Sequence, residues 1–218
     1  GGFGVPSRNM SYPQGKMLHM VLRSTGGDSA ALRKARGAFF TPASVARYVT
    51  DWAVRATHER ILEPSCGEAS FLLAAVDRLT ELRGTGDTDQ LAALDGIELH
   101  EDSARAARGL LRSAGVDANV AVGDFFCVDP TGSYDVVIGN PPYIRYQDFA
   151  GIARSRSRQA ALRAGVGLTN LASSWAAFVV HSALFLRAGG RMGLVLPAEL
   201  LSVNYAAEVR RFLLASFA

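Results

Sequence analysis

"YDVVIGNPPYIRY", residues 134–146, begins as an apolar run and ends in a stiff, partly aromatic turn. Tyr134–Gly139 has the length and β-branched content of a buried strand. Pro141 and Pro142 then remove two backbone donors and fix φ near about −65°, so the strand must stop there. Asn140, preceding a proline, is pushed toward an extended conformation. Such a turn is either punctuation or a pre-shaped set of hydrogen-bond acceptors, and the rest of the chain decides which.

Outward from this stretch, short apolar strands alternate with helical stripes. Strands are expected over 60–64, 92–98, 119–123, 134–139 and 191–197. The 3.6-residue period predicts helices over 68–83, 101–115, 170–190 and 200–214, the third ended by the pair Gly189-Gly190. A further helix follows Thr41, which is expected to cap it with Pro42 at its first position and Val45, Val49 and Ala53 along one side. This alternation predicts an α/β fold: a doubly wound, mostly parallel sheet with helices on both faces. Residues 1–30, glycine-rich and aperiodic, read as a flexible arm or expression remnant, and 31–218 as the folded domain.

Bulk properties narrow the class. The chain has 218 residues, 49% hydrophobic and 20% charged, enough for one full core. No apolar run reaches the roughly 18 residues that span a bilayer, and no signal-peptide pattern opens the sequence. A cytoplasmic protein with no membrane partner is therefore expected. Cys66 and Cys127 are too few for a disulfide framework, and the four histidines have no metal-site spacing. Cys66 reads as a small buried residue rather than a nucleophile. Net charge is only +3, yet Arg145, Arg154, Arg156, Arg158 and Arg163 face a single acid, Asp148, between 145 and 165. Alone this is a solvated loop; directly after the proline turn, it becomes a candidate surface for phosphates.

Ligands of such sheets collect beyond the carboxyl ends of the strands. Those ends carry Glu63-Pro64-Ser65-Cys66-Gly67, Glu98, Asp124-Phe125 and Asn140-Pro141-Pro142-Tyr143. The first holds one glycine, unlike a dinucleotide-binding loop, which argues against a cradled pyrophosphate. Glu98 suits a ribose diol, Asp124 an exocyclic adenine amine, and Phe125 the face of a ring. A solvated strand-end acid at Glu98 and a turn-forming Asp124 are the simpler alternatives. Adenosine without phosphate points to S-adenosylmethionine.

In order, Gly37-Ala38-Phe39-Phe40-Thr41-Pro42, Glu63–Gly67, Glu98, Asp124-Phe125 and Asn140–Tyr143 resemble the N6-adenine DNA methyltransferases that open with an "FTP" segment. The resemblance runs from about residue 36 to the end and is similar to modification enzymes of restriction systems. It implies a Rossmann-like S-adenosylmethionine-dependent fold and double-stranded DNA as partner, in a bacterial or archaeal nucleoid. Asn140 and Pro141 would accept the amine of a flipped-out adenine, and Tyr143 would stack on its ring. Thr41 would hold the methionine carboxylate, and Phe178 would line the adenine pocket, although a core phenylalanine fits its helical position equally well. Arg145, Arg154, Arg156 and Arg158 would meet DNA. The family continues with further strands and a target recognition domain, so the fold is expected to be incomplete at its C-terminus. Recognition and nuclease modules would be fused or separate. Two alternatives share the turn: methylation of a glutamine amide or of guanine N2 in ribosomal RNA, and a non-catalytic DNA-binding subunit.

Overall fold

The computed structural model describes residues 41–84, 93–144, 150–169 and 172–217. The proposed arm at 1–30, residues 37–40 of the "GAFFTP" segment, and Arg145 lie outside these residues. Five strands form a single parallel sheet: β1 (Ile61–Glu63), β2 (Leu94–Glu98), β3 (Asn119–Val122), β4 (Tyr134–Gly139) and β5 (Leu186–Leu194). Their spatial order is β3-β2-β1-β4-β5, so the chain steps outward from β1 to β3 and then returns to the other side of β1. The reversal lies between β1 and β4, where Ile61 pairs with Val136 and Leu62 with Val137. In sheets of this kind, a ligand crevice opens at that point.

Helices cover both faces. On one, α1 (Ala43–Ala53), α2 (Ser70–Arg83) and α3 (Glu101–Ser113) pack through Ala46, Ala53, Phe71, Leu72, Ala104 and Leu111 onto Ile61, Leu94, Val120, Val136 and Ile138. On the other, α4 (Gly151–Arg163), α5 (Ser174–Ala183) and α7 (Ala207–Ser216) surround Trp175, Val179 and Val180. A smaller cluster of Leu62, Ile97, Phe125, Val137, Phe178 and Phe185 joins the sheet to α5. Burial of each large apolar side chain stabilises the fold by about 1.5–3 kcal/mol. No described helix is long and apolar enough to cross a membrane.

The predicted strands stand, with shifted ends, and four expectations change. The helix expected over 170–190 stops at Ala183, and Leu186 already belongs to β5. The glycine pair sits within that strand, where the register jumps between Tyr134–Leu186 and Val136–Arg191. A Cβ on Gly190 would meet Arg187 O at 3.0 Å and Tyr134 O at 3.1 Å. Gly190 thus serves a close approach of backbones, and Gly189 takes φ +75°, a left-handed conformation that favours glycine; neither marks a helix end. Within the described residues, the arginine-rich segment is helix α4 over Gly151–Arg163 rather than a loop; its buried face is made of Ser157, Ala160 and Ala161, too small to register as an apolar stripe. The helix expected over 200–214 is broken into α6 (Glu199–Ser202), a 3₁₀ turn Asn204–Ala206 and α7. Finally, Pro42 stands before the first turn of α1 and Thr41 makes no capping bond; Val45 is 36% exposed, while Ala46, Thr50 and Ala53 form the buried side.

Candidate active site

The exits of β1, β2, β3 and β4 share one edge of the sheet, and there the predicted residues come together. From Glu63 the chain bends through Pro64, Ser65, Cys66 and Gly67 into α2. Gly67 adopts φ +51°, a left-handed conformation that favours glycine, and a Cβ there would meet nothing within 4 Å. Cys66 N–H bonds Ile97 O at 3.0 Å, and Gly67 N–H bonds Glu98 Oε2 at 2.9 Å, which ties the loop to β2. Glu98 Oε1 accepts from His100 N–H at 2.9 Å. Each carboxylate oxygen carries further acceptor capacity beyond its one backbone bond. Cys66 is 4% exposed and its thiol is pushed far up by burial, so it is inert at neutral pH.

Glu63 is 2% exposed and accepts from Leu72 N–H at 3.0 Å. It thereby satisfies the first turn of α2, the place where nucleotide folds receive a phosphate. Desolvation outweighs the backbone donors of Leu72 and Phe71 and holds its carboxyl well above the usual glutamate range, with the nearby Glu98 adding to the effect. A carboxyl built into the sheet already occupies a backbone donor at the start of α2, so this loop suits a nucleoside without phosphates.

After β3, Asp124 starts a 3₁₀ turn, Phe125–Cys127, and its Oδ1 accepts from Phe126 N–H at 3.0 Å. Its Oδ2 lies 3.2 Å from Arg156 Nη1 on α4, and Arg163 of the same helix pairs with Asp129 at 3.1 Å. Phe125 is 5% exposed, its ring centroid 4.8 Å from Phe178 and 5.0 Å from Phe185. Phe178, itself 3% exposed, thus stands in the core directly behind Phe125. His181 Nε2 faces the carbonyls of Phe125 and Val128 at 3.1 and 3.2 Å, so its proton resides on Nε2. Sequence reading missed His181 because a lone histidine within an apolar helix has no distinguishing spacing.

At the exit of β4, Asn140 and Tyr143 are both partly exposed. Asn140 Nδ2 donates to Thr41 Oγ1 at 3.1 Å, so the hydroxyl expected to cap α1 instead fixes the asparagine amide. Tyr143 Oη lies 2.7 Å from Asn140 Oδ1 and 2.7 Å from Val195 O. Ser174, at the start of α5, holds the loop from behind through Pro142 and Ile144. No sequence signal marked Ser174 or Val195, since each acts through partners distant in the chain. Of the arginine candidates, Arg156 and Arg158 are exposed on α4 and Arg154 is half-buried there.

This fold, with an acid at each of three strand exits and Asn-Pro-Pro-Tyr at the fourth, can be set beside known proteins. A model of the N-6 DNA methylase family matches residues 22–216. The chain belongs to the N-6 DNA methylase family. Type II methyltransferase M.PaeR7I of Pseudomonas aeruginosa is 32% identical over 203 residues, covering 81% of this chain and 34% of that protein. Type II methyltransferase M.XamI of Xanthomonas campestris pv. amaranthicola is 30% identical over 183 residues, covering 82% and 33%. The chain therefore spans about a third of the length of these curated relatives. Among solved structures, the type I restriction-modification methyltransferase subunit of Streptococcus thermophilus superposes with a TM-score of 0.67 at 24% identity, over 81% of this chain and 38% of that one. A class I S-adenosylmethionine-dependent methyltransferase from Listeria monocytogenes gives 0.62 at 19% identity, over 81% and 52%. This N-6 DNA methylase domain has the Rossmann-like fold of the class I S-adenosylmethionine-dependent methyltransferases.

Proposed function

We propose that the chain is the catalytic part of an adenine-specific DNA methyltransferase of a restriction-modification system, moving a methyl group from S-adenosylmethionine to the N6 amine of adenine. The observation that carries this reading is the Asn140 amide, held by Thr41 and Tyr143 at the exit of β4, beside the β1 loop. An exocyclic adenine amine is a poor nucleophile because its lone pair is conjugated into the ring. The Asn140 oxygen and the Pro141 carbonyl each accept one amine hydrogen, which favours tetrahedral nitrogen and returns the lone pair to it. Neutral acceptors set in place beforehand stabilise the developing charge, and the surplus proton of the methylated nitrogen, acidic once the bond has formed, passes to water, so no general base is needed. Tyr143 stacks on the base once it has left the duplex.

The donor set fits the cofactor. Glu98 would take the ribose hydroxyls, Asp124 the adenine amine, and Pro64, Ser65 and Gly67 the wall between them. Phe125, backed by Phe178, gives that end a rigid floor. Thr41 stands beside Asn140, where the methionine end is expected. The cofactor supplies an electrophilic methyl group on a sulfonium, and no phosphate that would compete with Glu63 for the start of α2. Arg154, Arg156 and Arg158 put positive charge on α4 next to the turn, suited to a DNA backbone. The remaining length of the relatives leaves room for modules that read sequence or cut DNA, as fused segments or separate partners.

The deciding experiment incubates the full-length protein with methyl-labelled S-adenosylmethionine and mixed genomic DNA, followed by nucleoside analysis. Label in N6-methyladenine is the expected result. Label confined to methylated cytosine, or to a glutamine amide of added protein, would refute the proposed substrate.

A further inference from the structure

The Asn-Pro-Pro-Tyr loop is pinned by a residue to which neither its motif nor its spacing points. Ser174 is 1% exposed at the first position of α5. Its Oγ donates to Pro142 O at 2.5 Å and accepts from Ile144 N–H at 2.9 Å, while its own N–H donates to Ile144 O at 3.1 Å. Three hydrogen bonds from one residue therefore clamp the backbone on both sides of Tyr143. Two of them use the side-chain hydroxyl as donor and acceptor at once, which alanine cannot reproduce. The prolines leave Pro142 and Pro141 without N–H groups, so the loop cannot stabilise itself through its own donors there. Its shape must be imposed from outside.

We propose that Ser174 is a positioning residue for methyl transfer, setting the direction of the Tyr143 ring and of the Pro141 carbonyl toward the target base. This rests on the adenine-methylating reading of the same loop. The helix α5 that carries Ser174 is anchored by Trp175, Val179 and Val180 in the second core, so the clamp has a rigid base. Removing the hydroxyl leaves Pro142 O and Ile144 N–H without their partner and frees the loop to shift. A misplacement of about 1 Å at a reacting group can cost on the order of a hundredfold in rate.

The same helix holds a matched control. Ser182 is 0% exposed, and its hydroxyl has no hydrogen-bond partner among the described residues. In the full-length protein, Ser174→Ala is expected to lower kcat by about 10- to 100-fold with the cofactor Kd unchanged. Ser182→Ala should leave kcat as in the wild type, and Ser174→Thr, which keeps a hydroxyl, should recover most of the loss. Ser174→Cys replaces the hydroxyl by a somewhat larger, weaker donor and carries the same expectation as Ser174→Ala, should the alanine variant not fold. Equal kcat in Ser174→Ala and wild type, or an equal loss in Ser182→Ala, overturns the assignment. A wild type that methylates no adenine in any DNA refutes the underlying function instead, and the two failures are told apart by that one lane.

Discussion

The Tyr143 hydroxyl sits 2.7 Å from the Asn140 side-chain oxygen, on the atom that a target amine would have to reach. A phenol has one proton, and Val195 O is a second acceptor at the same distance. When the proton turns toward Val195, the Asn140 oxygen is released without any movement of the ring. Tyr143→Phe, which keeps the ring and removes the competitor, is therefore expected to retain most of its kcat. Tyr143→Ala loses the proposed stacking surface, a contact worth about 1–3 kcal/mol per base, and should bind target DNA roughly 10- to 100-fold more weakly. Steady-state kinetics on both variants separate the two roles; equal losses would mean that the hydroxyl, not the ring, matters.

Under the proposed function, Asn140→Ala removes the oxygen that would accept the amine hydrogen, together with the amide that bonds Thr41. Methyl transfer should fall by at least about 10²–10³-fold, the usual effect of deleting one preorganised electrostatic group. Cofactor binding, measured by calorimetry, should be nearly intact. Wild-type turnover in this variant would remove Asn140 from the mechanism.

Neutral acceptors do not titrate in the working range, and burial pushes the Tyr143 phenol up to about 12. The pH profile of kcat is thus expected to be flat from about pH 7 to 9.5. A bell-shaped profile in that window would instead report a general base and acid.

Glu63 gives the fold a pH dependence of definite sign. Its carboxyl is held well above the ordinary range by burial, so the folded state prefers the protonated form. That stability is fully present below the ordinary glutamate pKa of about 4.3, and is lost as pH rises toward the folded value. Glu63→Gln cannot ionise, so its melting temperature relative to wild type should rise between pH 5 and pH 8. A difference that stays constant across this span would show that Glu63 ionises normally in the folded protein.

At Gly193 the sheet approaches α1 closely: a Cβ there would lie 2.7 Å from Val49 Cγ1. Gly193→Ala should destabilise the protein by about 1–3 kcal/mol, the usual cost of overpacking. Val49→Ala in the same chain should restore part of it, and urea denaturation of the three variants measures the coupling. Simple additivity would mean that the two residues do not press on each other.

Much of this arrangement was legible in the residues because it is local. Tyr134–Gly139 reads as a strand for its β-branched run and ends where the prolines forbid further pairing, and the structure agrees at both ends. The acids at the exits of the strands could be placed from the alternation alone. What escaped was non-local or small. Leu184, Phe185 and Leu186 continue an apolar helical stripe, yet the chain turns there because β4 needs a partner, and pairing outweighs local period. Helix α4 hides its core side in alanines and a serine. Thr41 looks like a helix cap by position and type, but its oxygen is drawn to an amide 99 residues away. Asp124 makes the turn-forming bond to Phe126 that is the simpler reading of its position, whereas its pairing with Arg156 comes from packing and left no local signal.

Because β1 and β4 are hydrogen-bonded neighbours, the Glu63 loop and the Asn140 loop leave the sheet side by side, with only the breadth of one inter-strand step, about 4.8 Å, between their stems. Under the proposed function, the gap across which a methyl group must jump is a property of backbone pairing and not of any appended part. Segments that choose an address on the genome can then be exchanged or rebuilt between relatives while the reactive geometry stays calibrated.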